Sequence, residues 1–397
     1  MAIEAAEYRA RQARLATTLA EAGYRGAVVV SRGGFTVDRA SDVLYLTGHY
    51  QAYVYLPDEP PHWSGRAHTI FLLRADGENC LLLSTPEYDP DRIVAGAFAH
   101  GADFAAETIA RMRDLGLADG RIALIGADVL PTRMWRRLAA ELPGVTWTDA
   151  DELLAAHRRI KSPAERDLIR RVTAINRQAV TAFAAALAPG RRESDAVAAA
   201  EAVALAEGAG VYYAAASSGE MSWAYASSPQ PGFSRRRLAA GDLVRLDLCI
   251  VADGYYSDFG RTFTVGTPSP GQQRLLDTLH AALDRTIAAI RPGRAAAEIV
   301  AAGDRGLAEL DVAMGTTVRP GQIAASYPAH WGHGLGLGWE RPWMVADETL
   351  VVAEGMYLAI ERALRLDGVG TAAAEQNLLV GRDGVELLTG GPAGIWS

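Results

Sequence analysis

Apolar positions in the first 150 residues recur with two different periods. Residues 4–23 set Leu15, Leu19 and Ala20 on one face of a helix that Gly23 stops. Short apolar runs follow at 26–31, 43–47, 69–73 and 80–84, each the length of a buried strand. The last two flank Asp76-Gly77, a hairpin turn pair. Helical spacing returns over 104–115 and 131–142, with strand-like runs at 122–125 and 145–147. Together these predict a mixed α/β unit. Residues 56–66, with three prolines, His62 and Trp63, read as a long irregular loop of the kind that carries function.

The texture changes near 151–165. Asp151 starts a helix, residues 158–163 interrupt it, and Ser162-Pro163-Ala164-Glu165 reads as a capping box that opens another. A boundary at 155–160 therefore divides 1–157 from 158–397. Beyond it, helices are predicted at 164–188, 193–208, 270–291 and 296–310. Strands are predicted at 212–217 and 243–250, and strand-rich segments at 349–366 and 371–389. Strands and helices here do not alternate as in a doubly wound sheet, so the class is α+β.

Length supports the division, since 397 residues fit two domains at roughly 100–200 residues each. A formal net charge of −8 argues against a non-specific nucleic-acid or anionic-membrane binder. Lys161 is the only lysine, which marks an arginine-biased composition rather than a phosphate-binding surface. No run reaches the ~18 apolar residues of a spanning helix. Cys80 and Cys249 make no disulfide framework, and the charged N-terminus does not read as a signal peptide. The expectation is a cytoplasmic protein of enzyme size.

The chemistry concentrates in the second half. Asp247 lies on an apolar strand, Asp253-Gly254 is a turn, and Asp258 lies on the returning strand. A two-residue turn puts both acids on one face as diagonal neighbours; a four-residue loop would pair them directly. Two carboxylates on a buried face must share a proton or bind a cation. Glu361 and Glu375 repeat the pattern near the C-terminus. Both numbers are odd, so they share a face only if the connecting loop is odd in length or a bulge shifts the register. Arg362 and Arg365 are the other available partners of Glu361, although Arg362 points to the opposite face of the strand. Between the hairpins, His330-Trp-Gly-His333-Gly-Leu-Gly surrounds a histidine with glycines, which let the backbone crowd a metal-bound imidazole. Four carboxylates balance two divalent cations. Oxygen-rich ligation with one histidine suits Mn, Co, Fe or Zn. Two such ions about 3.5–4 Å apart hold a bridging hydroxide, a nucleophile at neutral pH.

The ordered set Asp247, Asp258, Gly-His333-Gly, Glu361, Glu375 resembles the pita-bread metallohydrolases: prolidase, aminopeptidase P and methionine aminopeptidase. The N-terminal half and the linker Arg159-Ile-Lys161-Ser162-Pro163 look like the creatinase/prolidase branch. The likeness implies a pita-bread catalytic domain behind a creatinase-like N-terminal domain. It implies five metal ligands, with Asp258 and Glu375 bridging and Glu361 relaying a proton. Arg261, in Asp-x-x-Arg-Thr-Phe, matches the family's arginine beside the second Asp. The likeness also implies a homodimer, in which the 56–66 loop offers His62 and Trp63 to the partner's site.

Three histidines usual in the peptidases are missing. After Ser218-Gly219 the run Glu220-Met-Ser-Trp223-Ala-Tyr225-Ala226 holds none, Ala329 stands four residues before His333 with His330 one step away, and Glu340 stands seven after it. The reading is an Xaa-Pro-type peptidase acting on an amide C–N bond of a short peptide. Its rival is a relative acting on a small zwitterionic or cyclic substrate, as an amidohydrolase or a dimethylsulfoniopropionate lyase. Glu340-Arg341-Pro342 matches the lyase pattern, but the lyase base falls on Trp339. Creatinase dispenses with the metals, which these ligands do not. An inactive binding module is a minor third reading. His330, Trp223, Tyr225 and Trp339 are candidate substrate contacts, the aromatic ones as a cage. Glu340 should disfavour a substrate carboxylate unless Arg341 or a raised pKa neutralises it.

Overall fold

The N-terminal amphipathic segment forms α1 (Ala5–Glu21), burying Leu15, Ala16 and Leu19. The computed structural model describes residues 3–34, 41–55, 65–86, 88–89, 91–314, 330–366 and 368–390, so the predicted contacts His62 and Trp63 lie outside the described residues. The chain divides into two units, Ala2–Arg158 and Arg159–Ser397. Among the described residues no helix is long and apolar enough to cross a membrane.

In the first unit, β1 (Gly26–Arg32), β2 (His68–Arg74), β3 (Asn79–Leu83), β4 (Phe98–His100), β5 (Asp119–Ile125) and β6 (Gly144–Asp149) make one mixed sheet. Its order is β4-β3-β2-β1-β5-β6. Helix α3 (Phe104–Asp114) comes between β4 and β5 and helix α4 (Thr132–Glu141) between β5 and β6, and Ile109 and Leu138 from them share a core with Val28, Ile70 and Leu124 of the sheet. The run read as a strand at 43–47 is instead helix α2 (Ser41–Thr47). Five residues are too few for periodicity to decide. Local hydroxyls decide for the helix: Val43 N donates to Ser31 Oγ at 3.0 Å, and Thr47 Oγ1 donates to Val43 O at 2.7 Å. Arg158, at the end of α5 (Asp151–Arg159), meets buried Asp42 of α2 at 2.6 Å.

The second unit opens with the predicted capping box, Ser162 with Glu165, which starts α6 (Pro163–Ala185). Helix α7 (Glu193–Ala206) leads into a three-stranded antiparallel sheet of β7 (Gly210–Ser218), β8 (Leu243–Ala252) and β9 (Tyr255–Thr264). A second capping box, Ser269 with Gln272, starts α8 (Pro270–Ala288), and α9 (Ala296–Met314) follows. A five-stranded sheet then runs β11-β10-β12-β13-β14, built from β10 (Gly332–Leu335), β11 (Trp339–Trp343), β12 (Tyr357–Leu366), β13 (Gly370–Val380) and β14 (Val385–Leu387). Leu275, Leu279, Leu283 and Ile299 of the helices bury one face of this sheet at Leu358, Ile360 and Leu378. The other face meets β9, where Thr262 Oγ1 bonds the backbone of Ala373 at 2.8 Å.

The glycine-rich stretch around 332 is strand, because its backbone runs hard against β12. Gly332 has φ +118, and a Cβ there would overlap the carbonyl oxygen of Ala359. Gly332→Ala is expected to cost about 2–3 kcal/mol, read as a lowered Tm of this unit.

Candidate metal centre

Turn geometry sets the first pair of acids. Asp253 and Gly254 both have positive φ, 52° and 84°, as a two-residue primed turn requires. The resulting register faces Asp247 with Gly260 and Cys249 with Asp258, so the two aspartates are diagonal neighbours on one face. Gly260 leaves room there: a Cβ would stand 3.3 Å from Glu375 Cβ. The second pair is direct. The register Leu366↔Gly370 faces Glu361 with Glu375 across β12 and β13, the odd-length connection that their parity requires. Arg362, on the opposite face of β12, turns to His330 O at 3.1 Å and to the ring of Trp331 rather than to Glu361.

His333 on β10 completes the group. Its Nε2 stands 3.9 Å from Asp258 Oδ2, 3.9 Å from Glu361 Oε1 and 4.0 Å from Glu375 Oε1. These separations are too long for hydrogen bonds and suit donor atoms gathered around a cation. Asp258, His333 and Glu375 each offer one ligand atom, and the three atoms lie within 4.8 Å of one another. His333 Nδ1 lies 3.1 Å from Gly334 O, which calls for the proton on Nδ1 and leaves Nε2 as a bare acceptor. Burial pushes this imidazole down to about 4, so the ring is neutral, the form that binds metal.

The carboxylates bear the opposite stress. Burial first, then Asp247 and Glu361, hold Asp258 well above the usual carboxylate range. Glu375 is raised in the same way, and its Oε1 is buried with no hydrogen-bond partner among the described residues. Burial and Asp247 push Glu361 up to about 8. Four acids that resist ionising together, one orphaned oxygen and one bare imidazole nitrogen are what divalent cations would satisfy. The residues fit the group.

Other predicted site residues divide. His330 Nδ1 lies 3.5 Å from Glu361 Oε1. Tyr225 lines the cleft over Asp247, Glu361 and Glu375. Trp339 stacks on Tyr213 with centroids 6.1 Å apart and touches Tyr212, Tyr256 and His333, walling the imidazole. Trp223 is exposed and makes no ring contact among the described residues, so the structure does not bring it in. Arg261, a catalytic candidate by the resemblance, makes its hydrogen bonds behind the acids and not to their carboxylates. It stands three residues from Asp258 on β9, hence on the other face. Its guanidinium bonds the backbone oxygens of Gly260 and Glu375, and Gln376 Oε1 at 2.9 Å. Glu340, the other catalytic candidate outside the ligand set, is engaged in an ion pair. Lys161, the only lysine, is buried against it and neutralises it, while Arg341 turns away to Glu348 at 2.6 Å.

Three contributors escaped the sequence reading. Tyr213 Oη lies within hydrogen-bond reach of both aspartates, 3.1 Å from Asp247 Oδ1 and 2.8 Å from Asp258 Oδ1, because a bulge in β7 sets it opposite Cys249. Asn377 braces Asp258 from behind, accepting from its backbone N–H at 3.1 Å and donating to its carbonyl. Arg245 lines the same cleft. Its signal was available: a charge on an apolar strand, two residues from Asp247 and so on the same face.

Comparison with known proteins gives the family of the chain. A model of metallopeptidase family M24 matches residues 167–382, and one of the creatinase/prolidase N-terminal domain matches residues 11–160. The chain is 31% identical over 272 residues to a "Probable dipeptidase PepE" of Mycobacterium bovis, covering 68% of each chain. It is 28% identical to an "Xaa-Pro dipeptidase" of Pyrococcus furiosus over 60% of this chain and 65% of that one. Among solved structures, dipeptidase PepE from Mycobacterium ulcerans superposes with TM-score 0.78 at 27% identity, covering 99% of this chain and 98% of that one. Prolidase from Pyrococcus furiosus shares the fold at TM-score 0.74 and 21% identity, covering 95% of this chain and 99% of that one.

The buried Lys161–Glu340 pair generates a test. Lys161→Met removes the buried ammonium that meets Glu340 and is expected to cost about 3–5 kcal/mol, measured by chemical denaturation. Lys161→Met with Glu340→Leu should recover most of that loss, since an apolar pair leaves no charge buried.

Proposed function

The chain belongs to metallopeptidase family M24 and is a metallohydrolase, and from that premise we propose that it hydrolyses short peptides of the Xaa-Pro dipeptide class. Asp247, Asp258, His333, Glu361 and Glu375 would hold two divalent ions drawn from Mn, Co, Zn and Fe. The observation that carries this reading is the convergence of Asp258, His333 and Glu375 on one point, with Glu375 Oε1 orphaned. When bound, the cations supply Lewis acidity and activate water at neutral pH.

The chain's own groups supply the rest. Glu361, partly open to the cleft, holds the proton taken from the attacking water and delivers it to the leaving nitrogen, with His330 at 3.5 Å as its neighbour. Trp339 and Tyr225 bound the space in which the peptide lies. Pairing of Glu340 with Lys161 offsets the negative charge expected to repel the carboxylate of a dipeptide, so Glu340 does not stand against the peptide reading. The exposed aromatics Tyr212, Tyr225 and Trp343 support a homodimer in which a second copy covers them, and two free, buried cysteines support a reducing, cytoplasmic setting.

Elemental analysis after metal loading is expected to give close to two equivalents per chain; an apo protein that takes up none would overturn the reading. Glu361→Gln should lower kcat on an Xaa-Pro dipeptide by roughly 100-fold or more while Tm changes little, and near-normal turnover in a fully metallated variant would refute the role of Glu361. Sedimentation at working concentration should give a dimer.

A further inference from the structure

The cleft that opens on Asp247, Glu361 and Glu375 continues along the hairpins. Ala363 and Ala373 are the facing pair two positions beyond Glu361 and Glu375, hence on the same face, and both line the cleft. Their methyl groups leave it open where larger side chains would fill it. Arg245 lines the same space from β8, two residues before Asp247.

Arg245 is 5% exposed. Its Nη1 donates to Ser222 O at 3.1 Å and to Ala224 O at 3.2 Å, while its Nε is buried without a partner. Among the described residues it forms no ion pair. A buried guanidinium held only by two carbonyls is costly, and nearby acids must offset its charge from a distance. Divalent cations on those acids would use up that compensation. A guanidinium in a water-poor cleft beside a metal centre then calls for an anion, and its planar fork matches a carboxylate.

We propose that Arg245 is a specificity-determining residue that receives a substrate carboxylate over Ala363 and Ala373. This rests on the metallopeptidase reading above, since only cations on the four acids leave Arg245 uncompensated. Two strand positions span about 7 Å, so the group received lies close to the scissile bond. The terminal carboxylate of a dipeptide meets that condition, and so does an acidic side chain on the residue beside the bond.

Calorimetry on the full-length, manganese-loaded protein tests it with two probe pairs. Proline against prolinamide reports a terminal carboxylate, and glutamate α-amide against glutaminamide reports a side-chain carboxylate. Cations also attract carboxylates, so the decisive quantity is the preference for the acid over its amide in the wild type relative to Arg245→Gln. That preference should fall roughly tenfold or more for one pair and partly return in Arg245→Lys, with metal content unchanged. Whichever pair responds names the source of the carboxylate. Ala363→Leu, which fills the cleft and leaves the bonds of Arg245 to Ser222 and Ala224 in place, should weaken the same probe. An equal preference in wild type and Arg245→Gln at full metal content overturns the role of Arg245 alone. A wild-type protein that binds no metal overturns the metallopeptidase reading and this inference with it.

Discussion

Like-charge repulsion in a water-poor site is the constraint from which the second unit is built. Asp247, Asp258, Glu361 and Glu375 converge on one place, and burial raises all four above the ordinary carboxylate range. A fold that assembles such a group without cations stores an electrostatic penalty; with cations the same group becomes a strong chelate. The strand packing around it keeps the acids from relaxing apart. Two hairpins set the spacing along each strand, and the contact between β9 and β13 sets the spacing across them.

That contact is held largely by hydrogen bonds to the backbone of the acids. Asn377 grips both backbone groups of Asp258, and Arg261 reaches from the back of β9 to the carbonyl of Glu375. Gly260 contributes by having no side chain where Glu375 must pass. Tyr213 and His333 are held in turn by the ring of Trp339, so the aromatic wall and the acidic cluster share one scaffold. Glu340 is not a free anion in this arrangement. It makes an ion pair with Lys161, which ties the chain at the start of the second unit to β11.

Much of this was legible in the chain. The primed turn at Asp253-Gly254 fixed the register of β8 against β9, and the parity of Glu361 and Glu375 stated the condition their hairpin had to meet. Both are local rules: a turn type and a period of two determine which side chains share a face, whatever packs against them. The capping box at Ser162 is local in the same sense. Where a segment was too short for periodicity, the sequence was silent or misleading. Residues 43–47 formed a helix because hydroxyls on Ser31 and Thr47 completed its backbone bonds, and one of those partners is twelve residues away.

The sequence by itself determined the composition of the site: four acids and one glycine-flanked histidine in an order that resembles one family, on strands whose faces could be worked out. Tertiary structure alone decided which cations and anions meet. Lys161 crossed 179 positions of sequence to reach Glu340. Such pairings depend on which strands and loops pack together, and a charge in a sequence carries no record of the distant group that will be buried against it.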